Sequence, residues 1–174
     1  MLRIETEVEA PAWDSAELDW DALATSAIQA AVRATPYAAL DEAPETVTEV
    51  ALRFVDDETI RELNRDYRGK DKATNVLSFP MMDPDELEGP FIPGIEQLLG
   101  DIVIAYETTV REAEEQNKLL AAHVTHLIVH GTLHLLGYDH EDDTDAETME
   151  SLERSILATI GLPDPYANGP IGHD

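Results

Sequence analysis

The sequence predicts a single α+β domain, in which a small mixed β-sheet is packed with helices. Two observations support this prediction. The chain has 174 residues, of which 43% are hydrophobic, and this is long enough for one domain with a buried core. Its periodic segments, taken in order, read as strand, helix, strand, helix, two strands and three helices, an order typical of an α+β domain.

The first half of the chain contains two predicted strands and two predicted helices. Residues 2–9 alternate apolar and polar side chains, as a half-buried strand does. Residues 18–34 are rich in alanine, with apolar residues at helical spacing. Residues 47–55 are β-branched and apolar enough for a second strand, and Asp56 or Asp57 can cap the helix that follows. We expect the remaining segments to be connecting loops: residues 11–15, 36–44 and 68–74.

The second half contains two more strands and three helices. A short strand is expected at 75–79, closed by Pro80, and residues 101–106 are apolar on both faces and therefore central in the sheet. Residues 81–99 hold three of the ten prolines, so we expect a surface excursion there. The expected helices run from Thr108 or Thr109 to about residue 117, from 119 to 136 and from about 142 to 160. The tail from about residue 162 to 174 is expected to be loose.

The most informative segment is residues 130–140, His-Gly-Thr-Leu-His-Leu-Leu-Gly-Tyr-Asp-His. His130 and His134 are four residues apart and therefore share one helix face. Gly137 can end that helix, because glycine accepts a positive φ without steric cost. The turn that follows can bring His140 back toward the other two. Three converging imidazoles are the ligand set of a catalytic zinc ion with an open fourth position.

The ordinary alternative is that these histidines are solvated or packed in a core. Five of the six histidines, however, fall between residues 123 and 140, which favours a metal site. We therefore predict one Zn²⁺ ion bound by His130, His134 and His140, although imidazole also suits iron, nickel and copper. His126 is expected to be packed, and His173 to be incidental. Asp139 either orients one imidazole or simply forms the turn.

The histidine spacing is also that of zinc peptidases with the pattern H-E-x-x-H-x-x-G-x-x-H. One position differs, because the glutamate that acts as general base in those enzymes is Gly131 here. Glycine cannot take a proton from water, so peptide hydrolysis becomes the alternative rather than the favoured reaction. A non-enzymatic factor that uses zinc only for folding is a third possibility. A structural zinc site of that kind is usually closed by a fourth protein ligand.

The charge of the chain is strongly negative, with 37 acidic and 11 basic residues and a formal net charge of −26. Such a surface repels phosphate. Six of the basic residues nevertheless lie between Arg53 and Lys72, together with six acidic ones. That segment is either a salt-bridged helix face or a phosphate-binding surface. The chain has no cysteine, no long apolar run and no signal-like N-terminus, so we expect a cytoplasmic location and no membrane contact.

Three motifs resemble the YbeY family of bacterial rRNA maturation factors. They are the segments at 68–79 (RGKDKxTNVLSF), 99–102 (LGDI) and 130–140 (HGxLHLxGYDH). The resemblance implies a zincin-like α+β fold and a cytoplasmic location. It also implies a zinc-dependent, single-strand-specific endoribonuclease in 16S rRNA 3′-end maturation and ribosome quality control. It puts the family's zinc ligands at the three histidines of residues 130–140 and its functional arginine at Arg68.

The chemistry of the residues agrees with that expectation. Attack on a phosphodiester builds negative charge on the phosphate oxygens, and a cation must meet it. Arg68 is the predicted catalytic residue, because its planar guanidinium can hold two phosphate oxygens at once. Lys70 and Lys72 are predicted to bind the backbone of the substrate. The expected partners are single-stranded 16S rRNA and the ribosome or its small subunit, with no DNA and no membrane.

Overall fold

The computed structural model describes residues 1–167 and is organised around one four-stranded mixed sheet. Its strands are β1 (Leu2–Val8), β2 (Val47–Val55), β3 (Val76–Pro80) and β4 (Glu96–Ala105), in the spatial order β1-β2-β4-β3. The first three strands of that order are parallel, and β3 is antiparallel to β4 at the edge. The predicted α+β class, the mixed sheet and the interior position of residues 101–105 are therefore confirmed.

Seven α-helices of residues 1–167 pack around this sheet, with a 3-10 turn at Pro11–Ala16 before the first. They are α1 (Trp20–Arg33), α2 (Ala39–Glu42), α3 (Asp57–Arg68), α4 (Pro84–Glu88), α5 (Tyr106–Glu115), α6 (Leu120–Leu135) and α7 (Asp143–Thr159). The main core lies where α1 and α6 cover one face of the sheet. A smaller core under α3 covers part of the other face. None of the helices in this part of the chain is long and apolar enough to cross a bilayer.

Helix α3 follows from local sequence signals. The side chain of Asp56 accepts a hydrogen bond from the Thr59 backbone N–H at the N-terminus, 2.8 Å away, as expected for a capping residue. Ile60 and Asn64 are buried, and Gly69 ends the helix with φ +71°. Arg68 was predicted to lie in a loop, but it is the last residue of α3.

Other boundaries differ from the predicted ones because of non-local contacts. Strand β4 begins at Glu96 rather than Asp101, since residues 96–98 pair with the start of β2, a contact that local patterns do not reveal. Helix α5 begins at Tyr106, directly after the strand, and not at Thr108 or Thr109. The segments expected to be loops at 11–15 and 36–44 contain the 3-10 turn and α2, and the expected excursion at 81–99 contains α4.

The expectation of a loose tail is wrong for the part up to residue 167. Tyr166 is buried, and its hydroxyl donates a hydrogen bond to Glu153 in α7, 2.6 Å away. Lys118 holds the Pro165 carbonyl at 2.7 Å. An aromatic ring that fills the core and a satisfied carbonyl together anchor this segment. The rest of the expected tail, residues 168–174 with His173, lies outside the described residues.

Candidate metal centre and its cleft

The structure brings together the three histidines of residues 130–140. Each offers one ring nitrogen, and these nitrogens lie within 4.8 Å of one another. His130 and His134 lie one turn apart on α6, with their Nε2 atoms 3.1 Å apart. The chain reverses at Gly137, where φ is +93°, and places the His140 ring 5.2 Å from the His134 ring. Within residues 1–167, no fourth histidine or carboxylate joins this group.

His130 is oriented by a buried carboxylate from another helix. Its Nδ1 lies 2.7 Å from Oε1 of Glu153 in α7, and both side chains are buried. Burial alone would raise the pKa of Glu153, but hydrogen bonds from His126 and His130 outweigh burial and hold that pKa below its ordinary value. The ionised carboxylate can only accept, so His130 donates from Nδ1. The Nε2 atom of His130 is therefore turned toward the other two histidines.

His134 is oriented by the backbone of the turn that follows it. Its Nδ1 donates to the carbonyl oxygen of Tyr138, 2.9 Å away. Burial, and then the neighbouring His130 and His140, lower the pKa of His134 to about 4. His134 is therefore neutral at pH 7, with its proton on Nδ1 and a lone pair on Nε2.

This donor set fits a divalent transition-metal ion. Histidine ligands usually donate their second ring N–H to a carboxylate or a backbone carbonyl. Here His130 donates to a carboxylate and His134 donates to a backbone carbonyl. With Zn–N bonds of about 2.0–2.1 Å, two nitrogens of a tetrahedral site lie roughly 3.3 Å apart. The observed Nε2 to Nε2 distance of 3.1 Å is close to that value.

The histidines form one wall of a cleft of about 440 Å³. The cleft is also lined by the edge strand β3 and by Arg68 at the end of α3. The Arg68 side chain is exposed, and no hydrogen bond or ion pair engages it within the described chain. Lys70 and Lys72 are exposed as well, but they do not line this cleft.

Other basic residues of the segment from Arg53 to Lys72 are engaged by acidic partners. The shortest nitrogen to oxygen distances are 2.5 Å for Arg53 with Glu9, 2.8 Å for Arg61 with Asp71 and 3.0 Å for Arg65 with Asp66. These three arginines therefore form salt bridges, which was the first of the two alternatives considered for this segment. Arg68 is different, because its charge faces the cleft without a carboxylate to neutralise it.

Gly131 packs against the sheet at the position where the zinc peptidases carry their glutamate. A Cβ atom here would lie 3.1 Å from Cγ2 of Ile102 and 3.1 Å from Oγ of Ser78. The Ser78 hydroxyl donates to the Gly131 carbonyl oxygen, 3.3 Å away. The missing side chain thus allows α6 to approach β3 and β4 closely, and any side chain at this position would require Ile102 or Ser78 to shift.

Asp139 lies in the turn beside the His140 imidazole, and His126 is packed behind the histidine trio. Oδ1 of Asp139 accepts a hydrogen bond of 2.8 Å from the backbone N–H of His140 and lies 4.0 Å from that residue's Nδ1. Asp139 therefore supports the turn. His126 is buried and donates to Glu153 over 3.1 Å, as the packed alternative predicted.

Glu153 was missed from the sequence, although a signal was present. Met149 and Ile156 belong to the apolar stripe of the predicted last helix, and Glu153 stands on the same face, four residues after the first and three before the second. A carboxylate on an apolar helix face requires a buried partner. Tyr166 was missed because it lies in the segment expected to be loose.

Comparison with known proteins identifies the family. The family model described as "Endoribonuclease YbeY" matches residues 14–161. A protein named endoribonuclease YbeY from Sphingopyxis alaskensis is 54% identical over 169 residues, covering 97% of this chain and 99% of that protein. One from Agrobacterium fabrum, with the same name, is 51% identical over 168 residues, covering 95% of each.

A solved structure supports the fold independently. The solution structure of TM1509 from Thermotoga maritima matches with a TM-score of 0.50 and 22% identity, over 92% of this chain and 91% of that one. The family match covers most of the chain and includes the histidine segment, Arg68 and β3. The chain therefore belongs to the endoribonuclease YbeY family.

Proposed function

We propose that this chain is a metal-dependent endoribonuclease that hydrolyses single-stranded RNA in ribosomal RNA processing. Family membership supports the reaction class, since the relatives are named endoribonucleases. One structural observation carries the proposal for this chain: a single cleft is lined by three converging histidines and by the unengaged guanidinium of Arg68. Such a cleft can bind a phosphodiester between a metal ion and a fixed positive charge.

His130, His134 and His140 would hold the ion. When bound, a divalent ion such as Zn²⁺ supplies Lewis-acid activation of water and polarises a phosphate oxygen. Glu153 and the Tyr138 carbonyl keep His130 and His134 turned toward the centre, so that little reorganisation is needed during the reaction. Gly131 contributes no carboxylate, which leaves this chain without the base that peptide hydrolysis uses in the zinc peptidases.

Arg68 would stabilise the charge that develops on the phosphate oxygens. A guanidinium offers two parallel N–H groups to two oxygens of one phosphate. Because Arg68 has no acidic partner within the described residues, no existing ion pair must break before it meets the substrate. Lys70 and Lys72 follow Arg68 in the chain and would bind the flanking phosphates outside the cleft.

The finer assignments also belong to this proposal. We infer that the resident ion is Zn²⁺ and that the substrate is 16S rRNA near its 3′ end, reached in the cytoplasm on the small ribosomal subunit or the ribosome. These finer assignments rest on the resemblance in the three motifs and on the imidazole donor set.

Cleavage assays with the purified protein test the proposal. A short single-stranded RNA, the same RNA in a duplex, single-stranded DNA and casein are each incubated with zinc-loaded and with metal-stripped protein. We expect cleavage of the single-stranded RNA only, lost on stripping and restored by zinc. Chelator-sensitive cleavage of casein without RNA cleavage would favour the peptidase. A lack of cleavage in every arm would favour the non-enzymatic factor.

A further inference from the structure

A second surface lies on the side of β3 that faces away from the histidines. Two exposed residues contribute to it. They are Tyr67 in α3, which is 71% exposed, and Met81, which is 49% exposed. The Tyr67 ring meets the ring of Phe79 in β3 edge to face, with centroids 5.4 Å apart and planes at 65°. We refer to these three residues as the Tyr67 platform. An exposed tyrosine ring packed against a second aromatic ring offers a flat apolar surface to a ligand.

The platform and the metal cleft share their structural elements. In β3, Ser78 and Pro80 line the histidine cleft, while Phe79 points to the opposite face because successive strand residues alternate. In α3, Tyr67 of the platform directly precedes Arg68 of the cleft. β3 is the edge strand of the sheet, so an extended chain can pass around this edge from one surface to the other.

The charges beside the platform favour a neutral aromatic group over a phosphate. A cavity of about 190 Å³ adjoins Tyr67 and Phe79, and the charged side chains that line it are Arg53 and Asp101. The Arg53 guanidinium is held by Glu9 through two hydrogen bonds of 2.5 and 2.9 Å. Asp101 adds a carboxyl group whose pKa is raised by burial. An anionic phosphate would meet an arginine that is already paired and the acidic Asp101, whereas the donor edge of a base finds an acceptor.

We propose that the Tyr67 platform stacks one unpaired nucleobase of the RNA, next to the phosphate that Arg68 meets in the cleft. Aromatic side chains bind single-stranded nucleic acid by stacking, and every base offers a flat face. A base in a duplex cannot leave its partner to reach this surface without unpairing. The platform therefore gives a physical reason for single-strand specificity. The inference rests on the proposed function, because its ligand is the substrate of that reaction.

Steady-state kinetics of the zinc-loaded protein on a short fluorescent oligoribonucleotide test the inference. Tyr67→Ala should raise KM about 5- to 100-fold, the range expected for loss of one stacked base. It should change kcat little, because the stack is equally present in the ground state and the transition state. Tyr67→Phe keeps the ring and should stay within about twofold of the wild type. Leu119→Ala removes another exposed apolar side chain, 79% exposed at the start of α6, and should leave KM unchanged.

Oligoribonucleotides with one abasic nucleotide locate the stacked base. Removing that base should raise KM of the wild type as much as Tyr67→Ala does, and the two changes together should add nothing further, as expected for partners in one contact. If the wild type cleaves RNA and Tyr67→Ala has the same KM, the platform is overturned while the proposed function stands. If the wild type neither binds nor cleaves RNA, both are overturned.

Discussion

Glu153 and His130 are joined by a hydrogen bond of 2.7 Å between two buried side chains, one on α7 and the other on α6. The same carboxylate accepts from His126 and from the hydroxyl of Tyr166. This carboxylate therefore links α6, α7 and the segment after α7 behind the candidate metal centre. The contact makes the orientation of His130 depend on the packing of the whole domain.

Replacing Glu153 should therefore weaken metal binding without removing a ligand. Glu153→Gln keeps the shape and loses the charge, and we expect about tenfold lower zinc affinity. Glu153→Ala also loses the hydrogen-bond acceptor, and we expect about 100-fold lower zinc affinity. Competition with a chromophoric chelator measures both affinities. Glu147→Gln changes an exposed carboxylate on the same helix and serves as the control. Equal affinity in all four proteins would show that Glu153 has only a packing role.

His134→Ala should cost most of the metal affinity, because two imidazoles remain of the three that converge. Elemental analysis after dialysis measures the bound zinc per chain. His173→Ala removes a histidine that we expect to be incidental and should leave the zinc content at one ion per chain. A His134→Ala protein that keeps stoichiometric zinc would show that our ligand set is wrong.

Arg68→Ala should separate catalysis from metal binding. Losing a charge-assisted contact that strengthens in the transition state costs roughly 2–4 kcal/mol, or about 30- to 1,000-fold in rate. Zinc content and melting temperature should not change, since Arg68 is exposed and no contact within the described chain engages it. RNA cleavage rates, zinc analysis and thermal unfolding together check this prediction.

Arg65→Ala is the matched control for Arg68→Ala. Arg65 lies on the same helix but pairs with Asp66 at 3.0 Å, so its loss should leave the cleavage rate nearly unchanged. Binding of RNA to Arg68→Ala should also fall less steeply with salt than in the wild type, because one phosphate contact is missing. Wild-type cleavage by Arg68→Ala would remove this residue from the mechanism.

Gly131→Glu should destabilise the fold rather than create a peptidase. The added carboxylate would enter the contact of α6 with Ile102 and Ser78, and we expect a loss of roughly 3 kcal/mol or more in the free energy of unfolding. Gly131→Ala adds only a methyl group and gains helix propensity, so it should stay within about 1 kcal/mol of the wild type. Urea denaturation measures both variants. A stable Gly131→Glu protein that cleaves casein would contradict this account.

Several features could be predicted because they depend on contacts close together in the sequence. The Asp56 cap at the start of α3 and the glycine that follows α6, Gly137, are examples. The start of β4 could not be predicted, because residues 96–98 become a strand only by pairing with β2 some 50 residues earlier. The anchoring of Tyr166 depends in the same way on a distant carboxylate.

The sequence by itself determined the histidine trio. The four-residue spacing of His130 and His134 and the reversal at Gly137 are local geometry, and they bring His140 back toward the other two histidines. Only the tertiary structure decided which groups surround that trio. Glu153 meets His130 because α7 packs on α6, and Arg68 lines the same cleft as the histidines because α3 and α6 both pack against the sheet. Packing of distant segments leaves no periodic signal in the sequence, so these relationships appear only when the chain is folded.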